Sequence, residues 1–404
     1  ANNTAIYGTV YPYYNEPKHI ITTYLEHASV LKVYQDLEKR GFKVTYLKPT
    51  KDGIIDVKEL ENSLTNETVL VSIMWVNNII GSVLPIKEVV DIIKKYPRAK
   101  LHVDAVQGFG KIVPDFNLND IDLLTLSGHK LGGLKGTGLL IYNDKMHLSF
   151  IKGGHQQDSI RPGTVDLAGC VVMAKTIQLA ANDIYIKYQN VLEKYNYLKE
   201  ALKDSSHIIL NISKYSSPYI LSITFKKVKG ETALHTLEAS DIIVGTGSAC
   251  NSHSKDQEKT LIYTLDDETL AVNTIRISLS TYTTYEELDE LIKNIKEIGN
   301  KYDLIILDPP AFAKHHKVLG NALQGYKRIN ARAMSQIKSG GILFTFSCSQ
   351  AVSKELFRTT VFSAAAIAGR KVRILHQLTQ PADHPINIYH PEGEYLKGLV
   401  LYVE

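Results

Sequence analysis

Between residues 18 and 127, apolar runs rich in Val, Ile and Thr alternate with amphipathic stretches of roughly ten residues, the pattern of strands joined by helices. HIITTYL, FKVTYL, TVLVSIMWV, KLHVDAV and DLLTLS read as strands. ASVLKVYQDLEKRG, VKELENSL and PIKEVVDIIKKY read as helices, the first closed by Gly41 and the last opened by Pro85. A strand that is apolar along its whole length has no polar face to turn to water, so both faces of the sheet must be covered. Helical crossovers make neighbouring strands parallel. The expected fold is therefore α/β, a mostly parallel sheet with helices on both faces and its strand-end residues gathered at one edge.

After a long helical stretch, AKTIQLAANDIYIKYQNVLEKYNYLKEAL, a smaller α+β unit begins near residue 207, with the strands YILSITF and TIRISLS and the helix YEELDELIKNIKEIG. At residue 301 a different pattern starts. KYDLIILDPPAF reads as a buried strand, followed by a helix through RINARAMSQI, a Gly-Gly turn, the strand ILFTFSC, another helix and the strands KVRILHQL and GLVLYVE. The expected domains are 1–206, 207–299 and 300–404, with no Gly-, Ser- or Pro-rich linker before the last. The net charge is +4, but residues 1–300 carry 33 Lys+Arg against 35 Asp+Glu, and 301–404 carry 13 against 7. The excess of positive charge gives the last segment a mild preference for an anionic partner. Cys170, Cys250 and Cys348 are far apart and in no metal-ligand spacing, so neither disulfides nor a metal site are expected. No stretch approaches the ~20 apolar residues of a membrane helix, and the first residues lack a signal-peptide pattern; a cytoplasmic location is expected.

SGHKLGGLKGTG, residues 127–138, follows the last strand of the first region and holds Lys130 and Lys135. A lysine at a strand's end can be held in a cleft and desolvated, as a Schiff-base amine requires. Lys135, among glycines, reads as a loop or phosphate-side charge, and solvated loop lysines are the plain alternative for both. Asp104 ends a strand, where a carboxylate can pair with a protonated pyridine nitrogen while Gln107 reaches the ring hydroxyl; an Asp there is more often a helix cap. His27 follows a strand at the same edge, placed to stack on an aromatic cofactor, although a lone His is usually structural.

Together TYLEHASV, SIMWVNNIIGS, HVDAVQGFGK, SGHKLGGLKGTG, GGHQQDSIRPGT, VGTGSACNSHS and TIRISLST are similar, in order and spacing, to the cysteine desulfurases. These are pyridoxal-phosphate enzymes of the class V aminotransferase group, and the resemblance spans residues 1–298. It implies the PLP-dependent transferase fold of type I, a mostly parallel sheet plus a small α+β domain. It makes Lys130 the cofactor-linking lysine, His27 the ring-stacking residue and Asp104 the partner of the pyridine nitrogen. Gln107 and Asn78 become polar contacts to cofactor and substrate, and Ser127 and His129 phosphate-side ligands. Thr164 is expected to reach a phosphate across a dimer interface, and Arg276 to bind the substrate carboxylate as a bidentate fork. Cys250 matches the sulfur-accepting cysteine, and its neighbours Gly245, Gly247, Ser248, Ala249, Asn251 and Ser252 suit a mobile loop. A cysteine taken at random is more often buried and inert, the reading kept for Cys170.

The implied activity is conversion of L-cysteine to L-alanine with a persulfide on Cys250, supplying a sulfur-acceptor or scaffold protein in iron–sulfur cluster assembly or tRNA thiolation, by a homodimer. The sequence departs from the family at Ile79, where members place Glu after the paired asparagines. It also opens past the family's Gly-Ala-Thr loop and first helix, whose backbone N–H groups anchor the phosphate.

Within residues 300–404, DPPAFAK, GYKRIN, SGGILFTFSCS and DHPI…PEGEYLKG resemble the C-terminal half of large-subunit ribosomal RNA cytosine-5 methyltransferases, which use S-adenosylmethionine. That resemblance implies a partial Rossmann-like methyltransferase sheet. Cys348 would add to carbon 6 of the cytosine, and Asp308, Pro309 and Pro310 would line the pocket of the flipped base, with rRNA as partner. The plain alternative for Cys348 is a buried strand-end thiol. The segment lacks the glycine-rich cofactor loop and the acidic ribose-binding strand. An inactive chimera of two truncated enzymes, or an RNA-binding module in 300–404, stand as alternatives to desulfurase activity.

Overall fold

The computed structural model describes the chain outside residues 145, 147, 149, 247–254, 299–301, 313–318 and 391–392 and outside the side chains of 255–259. The chain forms two compact units, Ala1–Ile298 and Gly299–Glu404.

The first unit opens with α1 (Asn2–Val10), β1 (His19–Thr23), α2 (Ala28–Lys39), β2 (Lys43–Leu47), α3 (Val57–Ser63), β3 (Thr68–Met74), α4 (Ile86–Ile93), β4 (Lys100–Asp104), β5 (Leu123–Ser127) and β6 (Gly138–Tyr142). These strands form one sheet in the order β2-β1-β3-β4-β5-β6, parallel except for the antiparallel pair β5/β6. Alternation along each strand sorts the side chains. Ile20, Leu70 and Leu123 join Ala5, Ile6, Val30 and Tyr34 of α1 and α2 in one core, while Ile21, Val71 and Leu124 join Leu60, Val89 and Val90 of α3 and α4 in the other. The sheet is thus covered on both faces, as its apolar strands require. Neither α1, which has no side-chain cap, nor β6 is legible in the sequence pattern.

The long helical stretch is two helices, α5 (Leu167–Ala181) and α6 (Ile184–Leu202). The break falls at Asp183, which takes a left-handed φ of 53°, a conformation that ends a right-handed helix and that Asp tolerates. The rest of the unit is β7 (Ile208–Asn211), β8 (Ile220–Phe225), α7 (Gly230–Glu238), β9 (Gly245–Thr246), α8 (Lys255–Leu265), α9 (Glu268–Ala271), β10 (Thr274–Ser278) and α10 (Tyr285–Glu297). Its antiparallel sheet, β7-β8-β10-β9, shares a core with α6, α7 and α10. Thr284 and Glu287 close a reciprocal capping box at the start of α10.

The second unit contains β11 (Tyr302–Leu307), α11 (Leu319–Gln336), β12 (Ile337–Ser347), α12 (Lys354–Ala368), β13 (Val372–Leu378) and β14 (Lys397–Val403). The sheet order is β11-β12-β14-β13, with β11/β12 parallel and the other pairs antiparallel. Tyr326, Met334, Leu343, Phe357 and Leu401 form its core. β11 is not the buried strand expected. Among the described residues it lies at the sheet edge, paired with β12 alone, and Leu304 and Ile306 are 52% and 62% exposed. The Gly-Gly pair is not a turn between elements but lies inside β12, where Gly340 takes φ 85° and the register with β11 shifts, as in a bulge.

Among the described residues no helix is long and apolar enough to cross a membrane, and no cluster of metal-ligating side chains occurs.

Candidate active site

A cavity of about 540 Å³ opens at the carboxyl ends of β3, β4 and β5, beside the turn from β1 into α2. This is the edge at which parallel α/β sheets bind ligands. His27, Asn78, Asp104, Gln107, Ser127, His129, Lys130 and Arg276 all line it, between apolar walls that include Met74, Val76, Val106 and Leu126.

Each polar residue is placed by local chemistry. His27 caps α2, its Nδ1 accepting from the Ser29 N–H at 3.2 Å, and its ring is exposed. Asp104 is buried at the end of β4, where Oδ1 accepts from the Val106 N–H at 3.1 Å. Burial raises its carboxyl above the usual carboxylate range. Asn77 is buried and holds the turn after β3 by accepting from the N–H groups of Ile79 and Ile80, which leaves Asn78 to face the cavity. Ile79, the departure from the family, is buried in a cluster with Ile80, Leu261 and Ala271. Ser127 Oγ and His129 Nδ1 lie 3.0 Å apart.

Lys130 sits in the 3-10 turn Gly128–Leu131 directly after β5. A Cβ on Gly128 would lie 2.2 Å from Thr137 Oγ1, and Gly132 closes the turn with φ 86°. The glycines thus fix the turn that presents Lys130, whereas Lys135 does not line the cavity. On the opposite lobe Arg276, on β10, donates from Nη1 to the Asn78 carbonyl at 3.0 Å. Gly245 of β9 gives it room, since a Cβ there would lie 2.8 Å from Nη2.

Several residues at this site escape sequence reasoning. Asn2 of α1 lines the cavity, donating from Nδ2 to Asp104 Oδ2 at 2.8 Å and accepting from Thr125 Oγ1 at 2.5 Å. Lys111 lies behind Gln107 and donates to its Oε1 at 2.7 Å. An ammonium only donates, so the amide oxygen must face it and the Gln107 NH2 is left for the cavity. Burial, with Lys130 and Arg276 nearby, pushes Lys111 down to about 8. Glu26, next to His27, is buried beneath the site and is pushed up to about 8 by burial. Polar residues inside otherwise apolar runs, such as His102 within KLHVDAV, were the available signal.

Thr164 lines a neighbouring cleft with Arg161, Asp166 and Cys170, which meets the first at Gly136, Thr137 and Gly138. Within one chain it is not brought to Lys130. Cys170, expected to be buried, is exposed on α5. Cys250 lies outside the described residues. In the second unit Asp308, Pro309 and Pro310 follow β11, and Cys348, partly buried after β12, has its Sγ 3.9 Å from the Pro309 carbonyl. The loop after Cys348 is held by the buried Lys397, which donates to the Ser349 and Val352 carbonyls at 2.6 and 2.7 Å.

The cavity's donor set fits pyridoxal phosphate. Asp104 is a desolvated carboxylate whose ionised form gains from a cation in the cavity, such as a protonated pyridine nitrogen. Lys130 offers the amine, Gln107 an NH2 donor, His27 an exposed ring, and Ser127 with His129 polar groups beside the lysine.

Comparison with known proteins places the chain in a family. The family described as aminotransferase class-V matches residues 1–291. A "NifS/IcsS protein homolog" of Lactobacillus delbrueckii subsp. bulgaricus is 38% identical over 311 residues, 76% of this chain and 80% of the relative. The cysteine desulfurase IscS of Escherichia coli is 37% identical over 313 residues, 75% of this chain and 76% of its own. Among solved structures, a NifS-like protein superposes with a TM-score of 0.67 at 30% identity over 74% of this chain and 79% of that one. DndA from Streptomyces lividans gives 0.59 at 29% over 69% and 80%. With the family match reaching from the first residue through most of α10, the chain belongs to the class V aminotransferases, among their NifS- and IscS-like cysteine desulfurases.

Proposed function

We propose that residues 1–298 convert L-cysteine to L-alanine with pyridoxal phosphate as cofactor, leaving the sulfur as a persulfide on Cys250 for a sulfur-acceptor or scaffold protein. The observation that carries this reading is the convergence of Lys130, Asp104, Gln107 and Arg276 on one cavity at the carboxyl edge of the sheet. Bound there, the cofactor supplies an electron sink for breaking bonds at the substrate's carbons. Lys130 holds the cofactor and exchanges protons with the substrate, Arg276 orients the substrate carboxylate, and Asp104 and Gln107 fix the electrostatics at the opposite wall. Over the whole reaction the substrate carbon–sulfur bond breaks and a sulfur–sulfur bond forms to Cys250 Sγ. The Cys250 thiol proton is balanced by the hydrogen gained at carbon, so no outside oxidant or reductant is needed.

The test is a single incubation with sulfur-labelled L-cysteine. Alanine should appear in step with protein-bound sulfur on the peptide containing Cys250. Alanine without bound sulfur, or sulfur placed on the exposed Cys170 or on Cys348, overturns the assignment. Arg276→Lys should raise KM for L-cysteine by about 10- to 100-fold with a smaller change in kcat, because an ammonium cannot supply the planar fork; a loss confined to kcat would remove Arg276 from substrate binding.

A homodimer located in the cytoplasm completes the reading. It is supported by the exposed apolar side chains Leu167, Val171 and Leu179 on α5, beside the cleft that holds Thr164. Delivery to iron–sulfur cluster or tRNA-thiolation machinery follows from the family likeness. For residues 300–404 we propose descent from an S-adenosylmethionine-dependent rRNA cytosine-5 methyltransferase. The approach of Cys348 to Pro309, from two motifs 39 residues apart, supports it. Binding of rRNA fragments across a salt series, with a steep loss as salt rises, tests any remaining RNA contact.

A further inference from the structure

Beneath Asp104, five side chains from five elements form an unbroken run of hydrogen bonds that ends on its carboxylate. Tyr34 of α2 donates to Ser72 Oγ of β3 at 2.8 Å, and Ser72 Oγ lies 3.0 Å from His102 Nδ1 on β4. His102 Nε2 lies 3.3 Å from Thr125 Oγ1 on β5, Thr125 reaches Asn2 Oδ1 at 2.5 Å, and Asn2 Nδ2 reaches Asp104 Oδ2 at 2.8 Å. Tyr34, Ser72, His102 and Thr125 are at most 1% exposed, so water does not compete for these bonds.

The direction of the run is fixed by its end. An ionised Asp104 only accepts, so Asn2 must turn its NH2 toward it and its oxygen toward Thr125. Thr125 therefore spends its hydroxyl proton on Asn2 and accepts from His102. Burial pushes His102 down to about 3, so the ring is neutral and carries one N–H, which must be on Nε2. Nδ1 then accepts from Ser72, and Ser72 accepts from Tyr34. Every donor points toward Asp104.

We propose that His102 and Thr125 are positioning residues for Asp104, acting through Asn2 to hold its carboxylate ionised and aimed into the cavity. This rests on the reading of Asp104 as the cofactor's partner. A run of donors ending on a carboxylate offsets the burial that otherwise favours the protonated acid, and an ionised Asp104 is what a protonated pyridine nitrogen needs.

The experiment measures pyridoxal phosphate affinity through quenching of Trp75, the only tryptophan, which is buried and flanked in sequence by the cavity residues Met74 and Val76. Thr125→Val, nearly isosteric, and His102→Leu should each weaken binding by about tenfold. His102→Gln, which keeps one donor and one acceptor, should restore most of it. In an Asp104→Asn background neither Thr125→Val nor His102→Leu should have a further effect, because no charge remains to hold. Unchanged binding in Thr125→Val, or equal losses in both backgrounds, overturns the inference. In the cofactor-free protein, nitrogen NMR of labelled histidine should show His102 protonated at Nε2; protonation at Nδ1 reverses the run and also overturns it. A wild-type protein that binds no cofactor overturns the cofactor reading and this inference together, whereas cofactor binding without alanine formation overturns the desulfurase reading alone.

Discussion

Lys130→Ala is expected to slow alanine formation at least about a thousandfold, on the order of 4 kcal/mol in barrier, and to abolish covalent trapping of pyridoxal phosphate by borohydride. Three lysines lie near enough to compete for this role, and the structure separates them. Lys135 does not line the cavity. Lys111 is engaged with Gln107 Oε1, and its Nζ lies 5.9 Å from the Tyr219 ring centroid, behind the cavity wall. Lys130 alone of the three lines the cavity, presented by the turn that Gly128 and Gly132 shape. Its side chain is exposed, so removing it creates no core cavity, and Trp75 emission and the unfolding midpoint should be unchanged. Lys135→Ala should keep the covalent label. Loss of the label in Lys135→Ala with retention in Lys130→Ala would reassign the amine and sink the site as drawn.

The parts of this site that were legible in the sequence share a cause. Strands β1 and β3 to β5 are largely apolar and buried, so their positions, and with them the strand-end residues His27, Asp104 and Lys130, follow from the apolar pattern. The family likeness then gave Asn78, Gln107 and Arg276, which line the same cavity. What was not legible depends on neighbours across the sheet. Ser72, His102 and Thr125 stand 30 and 23 residues apart in the chain and meet only because β3, β4 and β5 lie side by side. Read singly, each is a polar residue misplaced in an apolar strand. α1 is not legible because its residues show no apolar stripe, yet it delivers Asn2 to Asp104. In the second unit the apolar composition of β11 suggested burial, but strand order decides burial, and β11 is an edge.

Glu26→Gln is expected to abolish most of a fall in the first unit's stability as pH rises from about 5 to about 8. Oε1 of Glu26 accepts from the Met74 N–H at 2.8 Å and from Thr23 Oγ1 at 3.1 Å, while Oε2 is buried with no partner among the described residues. Those two bonds are too little for a buried anion, so burial, assisted by the charge of Asp104, pushes the carboxyl up from 4.5 to about 8. The sign follows from which state holds the proton. Between the unfolded and folded values the folded protein keeps a proton that the unfolded chain has released, so each pH unit costs the folded state up to about 1.4 kcal/mol. The contribution is whole below about 4.5 and lost as pH climbs through about 8, an upper bound on the order of 5 kcal/mol. Gln keeps an acceptor for Met74 and Thr23 and carries no charge, so urea unfolding followed by Trp75 should give the variant a nearly flat profile and the higher midpoint at pH 8. Parallel pH profiles for wild type and variant would falsify the assignment of Glu26 as a neutral buried acid under the His27 turn.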